Sequence, residues 1–248
     1  MRTVGVDLAA ELVNTAIAVI EWQRAAVRVV AVTIPADDNA VLRQVEGADK
    51  VGIDCPLGWP DAFIEFLCAH HDKAVTVPDA VSSTAWRRSL AYRRTDEHVR
   101  ASLQITPLSV ATDRIGVTAM RAARLQVLLA GQGYRIDRAG TELIVEVYPA
   151  AGLEHWGLPH SRYKGRDGRA SLTTLVDQLQ NTAPWLELGH AEQACRHQDH
   201  ALDAVVAALL ARAAALGLTT PPPADDHTAA CTEGWIALPT CTLSELAP

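Results

Sequence analysis

Acidic residues end or interrupt three short apolar segments of the chain. Asp7 ends the segment TVGVD, Asp54 ends VGID, and Glu146 lies inside LIVEVY. A charge is disfavoured in a nearly dry sheet unless it is paired or bound to a metal ion. Because ligands of open α/β sheets gather at the carboxyl ends of the strands, the three acids predict one shared site.

A fourth acid lies in the long apolar stretch HQDHALDAVVAALLA. Asp203 is surrounded there by Ala, Val and Leu, so its face of the predicted helix is expected to point inward, toward the strand ends. Asp199 and His200 precede Asp203 by four and three residues, and either spacing places two side chains on one helical face. The helix therefore predicts a further contribution to the same site.

Carboxylate oxygens are the ligands that Mg²⁺ takes from proteins, and a few suffice because water and substrate phosphate complete the shell. We therefore predict Mg²⁺ or Mn²⁺ as the cofactor. Taken singly, an acid at a strand end is more typical of a turn, and a polar residue before a helix is more typical of a cap. The combination favours the metal site. The predicted ligands are Asp7, Asp54, Asp203 and Asp199, and the predicted catalytic acids are Asp7, Asp54, Glu146 and Asp203.

The elements that would position these residues follow a specific order. Three β-branched segments at 3–7, 15–21 and 27–33 are separated by short polar turns and predict an antiparallel meander. Apolar periodicity, Gly and Pro then mark the later elements. The predicted helices are 39–45, 117–131, 171–179 and 191–216, and the predicted later strands are 51–54, 143–148 and an edge strand at 234–239.

This order predicts an α/β fold whose mixed sheet combines the antiparallel meander with parallel strands and is flanked by helices. Between about 56 and 113 the periodicity weakens, which predicts a helical insertion beside the site. We expect one domain over 1–248, because the length and the 49% apolar content suffice for one substantial core.

The bulk composition limits the partners. No apolar run reaches about 18 residues, so we expect no membrane partner. The five cysteines form no CxxC pair and the first residues do not resemble a signal peptide, which predicts a cytoplasmic location. The net charge of −7 excludes general polyanion binding, so a nucleic-acid partner needs a local basic surface. The sequence leaves the oligomeric state open.

The densest basic and aromatic segment is WRRSLAYRRTDEHVR at 86–100. Arginine binds phosphate through forked contacts, and aromatic rings stack on bases. The alternative is a solvated helix face that is partly neutralised by its own acids. A second, smaller basic group lies at 164–169. The predicted substrate-binding residues are Arg93, Arg94, Asp96, Lys164, Arg166 and His200.

Several of these segments resemble one protein family across most of the chain. GVD, VGIDCPLGWP, RRTD, VEVYPA, the KGR triplet and DHALDAVVAALLA are similar to domain of unknown function 429, whose members are described as predicted RNase H-like nucleases. The last helix also resembles that of RuvC-type junction resolvases, in which a His or Asp precedes the final catalytic acid by three residues, as His200 precedes Asp203.

The resemblance implies an RNase H-like fold and, by analogy, hydrolysis of phosphodiester bonds with two Mg²⁺ or Mn²⁺ ions. Asp7 would bridge the ions, and Asp54 and Asp203 would complete the ligand shell. Glu146, Asp199 or His200 would tune an ion or shuttle a proton. A fold alone does not fix a function, so this activity is an expectation from analogy.

Two alternatives to the nuclease remain. The first is an ATP-dependent phosphotransferase of the actin and sugar-kinase superfamily, but the turn DLAAELVNTA lacks the glycine that cradles phosphate after the first strand. The second is a nucleic-acid-binding module that keeps the fold without turnover. Retention of every acid argues against the second alternative.

Overall fold

The computed structural model describes residues 1–77 and 81–248. Its first three strands, β1 (Arg2–Asp7), β2 (Ala16–Gln23) and β3 (Ala26–Thr33), pair in the antiparallel sense. Most side chains of β1 and β2 are buried because both faces of the sheet are covered. The predicted antiparallel meander is confirmed.

Two further strands extend the sheet from β1 in the parallel sense. β4 (Lys50–Asp54) lies beside β1, and β5 (Ile144–Glu146) lies beside β4. At the other edge, β6 (Leu186–Glu187) pairs in parallel with β3. The order of the six strands is β5-β4-β1-β2-β3-β6, so the carboxyl ends of β1, β4 and β5 share one edge.

Helices cover both faces of this mixed sheet, and the arrangement is consistent with an RNase H-like fold. The α-helices of the described residues are α1 (Asp38–Val45), α2 (Asp61–His71), α3 (Ser83–Ala91), α4 (Arg94–Leu103), α5 (Ile115–Gly131), α6 (Pro149–His155), α7 (Arg169–Thr182), α8 (Glu192–His197), α9 (Asp199–Ala215) and α10 (His227–Glu233).

The core is divided by the sheet into two apolar layers. On one face, α9 packs against β1, β2 and β4 and is buried along almost its whole length. On the other face, Val41 and Val45 of α1 join Leu125 and Leu129 of α5 against the sheet. Because α9 is apolar all round, its single buried acid, Asp203, has a fixed place above the strand ends.

Two strand glycines let α9 lie very close to the sheet. A Cβ atom on Gly5 would lie 2.0 Å from the carbonyl oxygen of Ala204, and one on Gly52 would lie 2.6 Å from that of Ala207. Both neighbours are backbone atoms of α9 and cannot move aside independently of the helix. The glycines of β1 and β4 therefore set the distance between the helix that carries Asp203 and the strand ends.

The predicted helix at 191–216 is two helices. The backbone of Gln198 is extended, with φ −134° and ψ 110°, and it separates α8 from α9. The break arises because α8 packs against α7 whereas α9 packs against the sheet. The prediction of one continuous helix was therefore wrong at this residue.

The predicted edge strand at 234–239 does not form a ladder. Within the described residues this segment makes two isolated bridges, through Ile236 and Pro239. The N–H of Leu238 donates to the carbonyl oxygen of Ile236, within the same segment, and is therefore not available to a neighbouring strand. Pro239 has no N–H to donate to a ladder. The strand prediction was wrong there.

Helices α2, α3 and α4 lie in the region of the predicted insertion at 56–113. Residues 78–80, within that prediction, lie outside the described residues. Among residues 1–77 and 81–248, no helix combines the length and apolar character that crossing a membrane requires.

Candidate metal centre

Two acids meet at the carboxyl edge of the sheet because two parallel strands end in register. Asp7 and Asp54 are the last residues of β1 and β4 and are direct register partners. Asp203 comes from the second turn of α9. One carboxylate oxygen from each residue lies within 4.8 Å of the other two. The structure therefore brings Asp7, Asp54 and Asp203, the acidic trio, together.

The acidic trio is largely withdrawn from water. Asp203 is 0% exposed and Asp7 is 6% exposed. Burial raises the pKa of Asp54 well above its ordinary value, and the neighbouring Asp7 raises it further. Burial, opposed by Lys164 and assisted by Asp7, raises the pKa of Asp203 to about 6. A cation among these carboxylates would relieve both the repulsion and the desolvation.

Asp203 is held by two neighbouring residues of one loop. The hydroxyl of Tyr163 donates to Asp203 Oδ1 at 2.7 Å, and Lys164 Nζ lies 2.6 Å from Oδ2. The lysine contact is an ion pair between the ammonium and the buried carboxylate. Burial lowers the pKa of Lys164, but Asp203 and Asp54 raise it by more, so the ammonium stays charged.

His200 contacts a second member of the trio, Asp7. Its Nδ1 lies 2.6 Å from Asp7 Oδ2. The hydrogen bond to Asp7 raises the pKa of His200, and burial opposes the rise. Two basic side chains of the protein, His200 and Lys164, therefore contact carboxylates of the acidic trio.

Glu146, the acid at the end of β5, lies in a separate buried pair. Its Oε1 is 2.7 Å from Arg93 Nη2, and its Oε2 is 2.8 Å from Nη1. The N–H of Leu57 also donates to Oε2, at 2.9 Å. Burial raises the pKa of Glu146, and Arg93 opposes the rise. The structure does not bring Glu146 into the acidic trio.

Arg93 has no donor left for a ligand. Besides the two bonds to Glu146, it donates from Nε and Nη2 to Asp96 at 3.1 and 2.9 Å, and from Nη1 to the carbonyl of Glu233 at 3.1 Å. These bonds use all five guanidinium N–H groups. Arg93 and Asp96, both predicted to bind substrate, are each 1% exposed and lie in the buried framework.

The other predicted residues lie outside the acidic trio. Asp199 Oδ2 accepts a hydrogen bond from Gly165 N–H at 3.0 Å, which ties the start of α9 to the loop before α7. Arg94 is exposed and lies 3.8 Å from Asp226. Arg166 is exposed on the same loop as Gly165.

Comparison with protein-family models gives a match over residues 5–228 to the family described as "Protein of unknown function (DUF429)". The chain belongs to the DUF429 family. The matched range contains the whole acidic trio, and the resemblance of the sequence motifs to the DUF429 family is confirmed. No curated protein and no solved structure matches this DUF429 chain.

The donor set of this DUF429 protein fits a hard divalent cation. All three converging ligands are carboxylates, which suit Mg²⁺ or Mn²⁺, and the converging atoms include neither a cysteine nor a histidine of the kind that favours zinc. Asp203 Oδ2 is buried, and Lys164 Nζ lies 2.6 Å from it, so a bound ion would share this oxygen with the lysine or displace the contact.

One contributor to the site was missed from the sequence of this DUF429 protein. Tyr163 is 1% exposed and donates to Asp203. Its position beside Lys164 was the available signal, because an aromatic residue next to a predicted site residue is a natural hydrogen-bond partner. In the sequence alone, a tyrosine there is equally typical of the core.

Proposed function

We propose that this protein is a metal-dependent nuclease that hydrolyses phosphodiester bonds with Mg²⁺ or Mn²⁺. One observation carries the proposal: three carboxylates, two of them buried and one half-buried, converge within 4.8 Å at the carboxyl edge of the sheet, and the described residues place no arginine in contact with them. A buried group of like charges is unfavourable unless a cation joins it. Membership of the DUF429 family supports the comparison with RNase H-like nucleases that the motifs suggested.

In this proposal Asp7, Asp54 and Asp203 would hold the divalent metal through their carboxylate oxygens. Bound ions of this kind lower the pKa of the attacking water and stabilise the leaving oxygen. His200 keeps a proton at Nδ1 against Asp7 Oδ2 and so fixes the orientation of that carboxylate. Tyr163 does the same for Asp203 through its hydroxyl.

Glu146 acts in the proposal through Arg93 and not on an ion. Because Arg93 binds both oxygens of Glu146 and is fixed by Asp96, this network holds the end of β5 beside β4 and Asp54. Asp199 holds the loop that carries Lys164 by accepting from Gly165.

The proposal also includes the partner, the cellular location and the domain organisation. The partner is a nucleic acid, which binds to exposed basic side chains such as Arg94 and Arg166. The location is cytoplasmic. Residues 1–248 form one domain, with the helices between about 56 and 113 as its insertion.

Titration of Mg²⁺ and Mn²⁺ into the wild type and Asp7→Asn tests the activity on single-stranded, duplex and branched substrates. We expect the variant to lose at least about 100-fold in rate, because an amide is a poorer ligand than a carboxylate and the ligand acts directly on the ion. Asp72→Asn, an exposed acid at the end of α2, is the matched control. Cleavage that is unchanged in Asp7→Asn, or that persists without metal, would contradict the proposal. Tight ATP binding would favour the phosphotransferase instead.

A further inference from the structure

A cavity of about 310 Å³ opens beside the acidic trio. Asp54 and Lys164 both lie on its wall, so it is continuous with the candidate metal centre. Its volume is at the lower end of the range, about 300–1,000 Å³, that is usual for small-molecule sites. The cavity is therefore matched to one compact ligand or to one unit of a polymer.

The wall of this Asp54 cavity combines two kinds of surface. The apolar part includes Pro107, Leu108, Ile115 and Ile236. Tyr148 adds an aromatic ring that is only partly covered by the protein. Apolar and aromatic surfaces of this kind receive the flat face of a base, whereas a bare sugar phosphate would leave them unmatched.

The three basic residues on the cavity wall differ in how many of their hydrogen-bond donors the protein already uses. Arg93 reaches the cavity, but all five of its donors have acceptors in the protein. His160 is paired with Glu154 at 2.6 Å. Lys164 contacts Asp203 Oδ2 and retains ammonium protons that have no acceptor among the described residues. Lys164 is therefore the wall cation that can meet a phosphate beside Asp54.

We propose that the Asp54 cavity receives one unpaired nucleotide, with its base against Leu108, Tyr148 and Ile236 and its phosphate between Lys164 and the acidic trio. The inference rests on the proposed function and narrows its substrate class. The trio is recessed, with Asp203 0% exposed, so the scissile phosphate must enter with its nucleotide. A base in a duplex can do so only after it is unpaired and unstacked, which costs free energy. The favoured substrates are single strands, frayed ends or free nucleotide esters.

Binding of adenosine 5′-monophosphate and of inorganic phosphate, measured by calorimetry with Mn²⁺ present, tests the base contact separately from catalysis. Leu108→Asp places a charge where the base would lie, and since Leu108 is 61% exposed the variant is expected to fold. We expect about a tenfold loss in affinity for the nucleotide and no loss for phosphate. Val127→Asp, at an apolar position of α5 that is 72% exposed and outside the cavity wall, should bind both ligands like the wild type.

Equal affinity of the wild type for the nucleotide and for phosphate would overturn the inference. So would nucleotide binding by Leu108→Asp at wild-type strength. Because these measurements do not depend on turnover, they judge the cavity even if hydrolysis is absent.

Cleavage of one sequence as a single strand and as a blunt duplex, with Mn²⁺, is the second arm. We expect the single strand to be cleaved at least about tenfold faster, because the duplex must first expose a base. Equal rates would overturn the inference and leave the hydrolase intact. No cleavage of any substrate, together with normal nucleotide binding, would remove the hydrolase and leave the cavity assignment standing.

Discussion

Lys164 Nζ lies 2.6 Å from Asp203 Oδ2, so a side chain of the protein itself places a positive charge against the acidic trio. Asp203 is fully buried, whereas more than half of the lysine side chain is accessible, at 56%. The ammonium can therefore leave while the carboxylate stays. A divalent ion that binds Asp203 has to displace this contact or share the carboxylate with it.

Lys164→Met is expected to strengthen divalent-cation binding by about tenfold, because the variant removes a competing charge from Asp203. Calorimetric titration with Mn²⁺ at about pH 8, above the pKa of Asp203, measures the change. Arg169→Met removes an exposed positive charge at the start of α7 and controls for net charge. Weaker binding in Lys164→Met than in the control would show that the lysine supports the ion and does not compete with it.

The raised pKa of Asp203 predicts a pH dependence of stability without metal. A group that binds its proton more tightly in the folded state stabilises the fold at low pH, and the contribution is lost as the pH rises through the folded value. Here the pKa rises from 3.8 to about 6, which corresponds to about 3 kcal/mol. The wild type should lose about this much relative to Asp203→Asn between about pH 4 and pH 7, as measured by urea unfolding.

Addition of Mn²⁺ at neutral pH should return stability to the wild type and not to Asp203→Asn, because an ion stabilises the state that binds it. Two parallel pH profiles without metal would contradict the assigned burial of Asp203. Equal stabilisation of both proteins by Mn²⁺ would place the ion elsewhere.

The acidic trio could be predicted from the sequence because each member breaks an apolar pattern. Asp7 and Asp54 end β-branched segments, and Asp203 interrupts a helix of Ala, Val and Leu. The spacing and the type of the apolar residues therefore predicted both the secondary-structure element and its buried face. The apolar pattern did not predict the register between β1 and β4. Two strands of similar length that each end in an acid nevertheless bring these acids together when they pair in parallel.

The partner of Glu146 could not be predicted. Arg93 is 53 residues away, and the charges around it, RRTDEH, are typical of a solvated helix face. Burial of this arginine depends on α4 packing against α6 and α10, which no local pattern specifies. The two-residue strand β6 was missed for a related reason, since two residues carry no periodicity.

Arg93→Met is expected to destabilise the protein by about 3–5 kcal/mol, because it leaves Glu146 and Asp96 as buried carboxylates without their cation. Urea unfolding measures the loss. The double variant with Glu146→Gln should recover part of it, since one of the two stranded charges is then removed. A loss below about 1 kcal/mol would mean that the network is open to water and is not a buried framework.

Gly5→Ala should disturb the metal centre from a distance. The added Cβ would lie 2.0 Å from the carbonyl oxygen of Ala204 and 2.3 Å from the amide nitrogen of Ala208, so α9 has to move away from β1. A backbone shift of this kind is expected to cost about 3 kcal/mol or more. It also carries Asp203 away from Asp7, so Mn²⁺ affinity should fall together with stability.

Gly131→Ala is the matched control for the preceding substitution. Gly131 is the last residue of α5, and no atom of residues 1–77 or 81–248 lies within 4 Å of its added Cβ, so the free energy of unfolding should change by less than about 1 kcal/mol. Thermal and urea unfolding, with Mn²⁺ titration of both variants, separate the two effects. If Gly5→Ala lost stability while its Mn²⁺ affinity stayed at the wild-type value, the position of Asp203 would not depend on the seating of α9. The acidic trio would then owe its geometry to the contacts of Tyr163 and Lys164 instead.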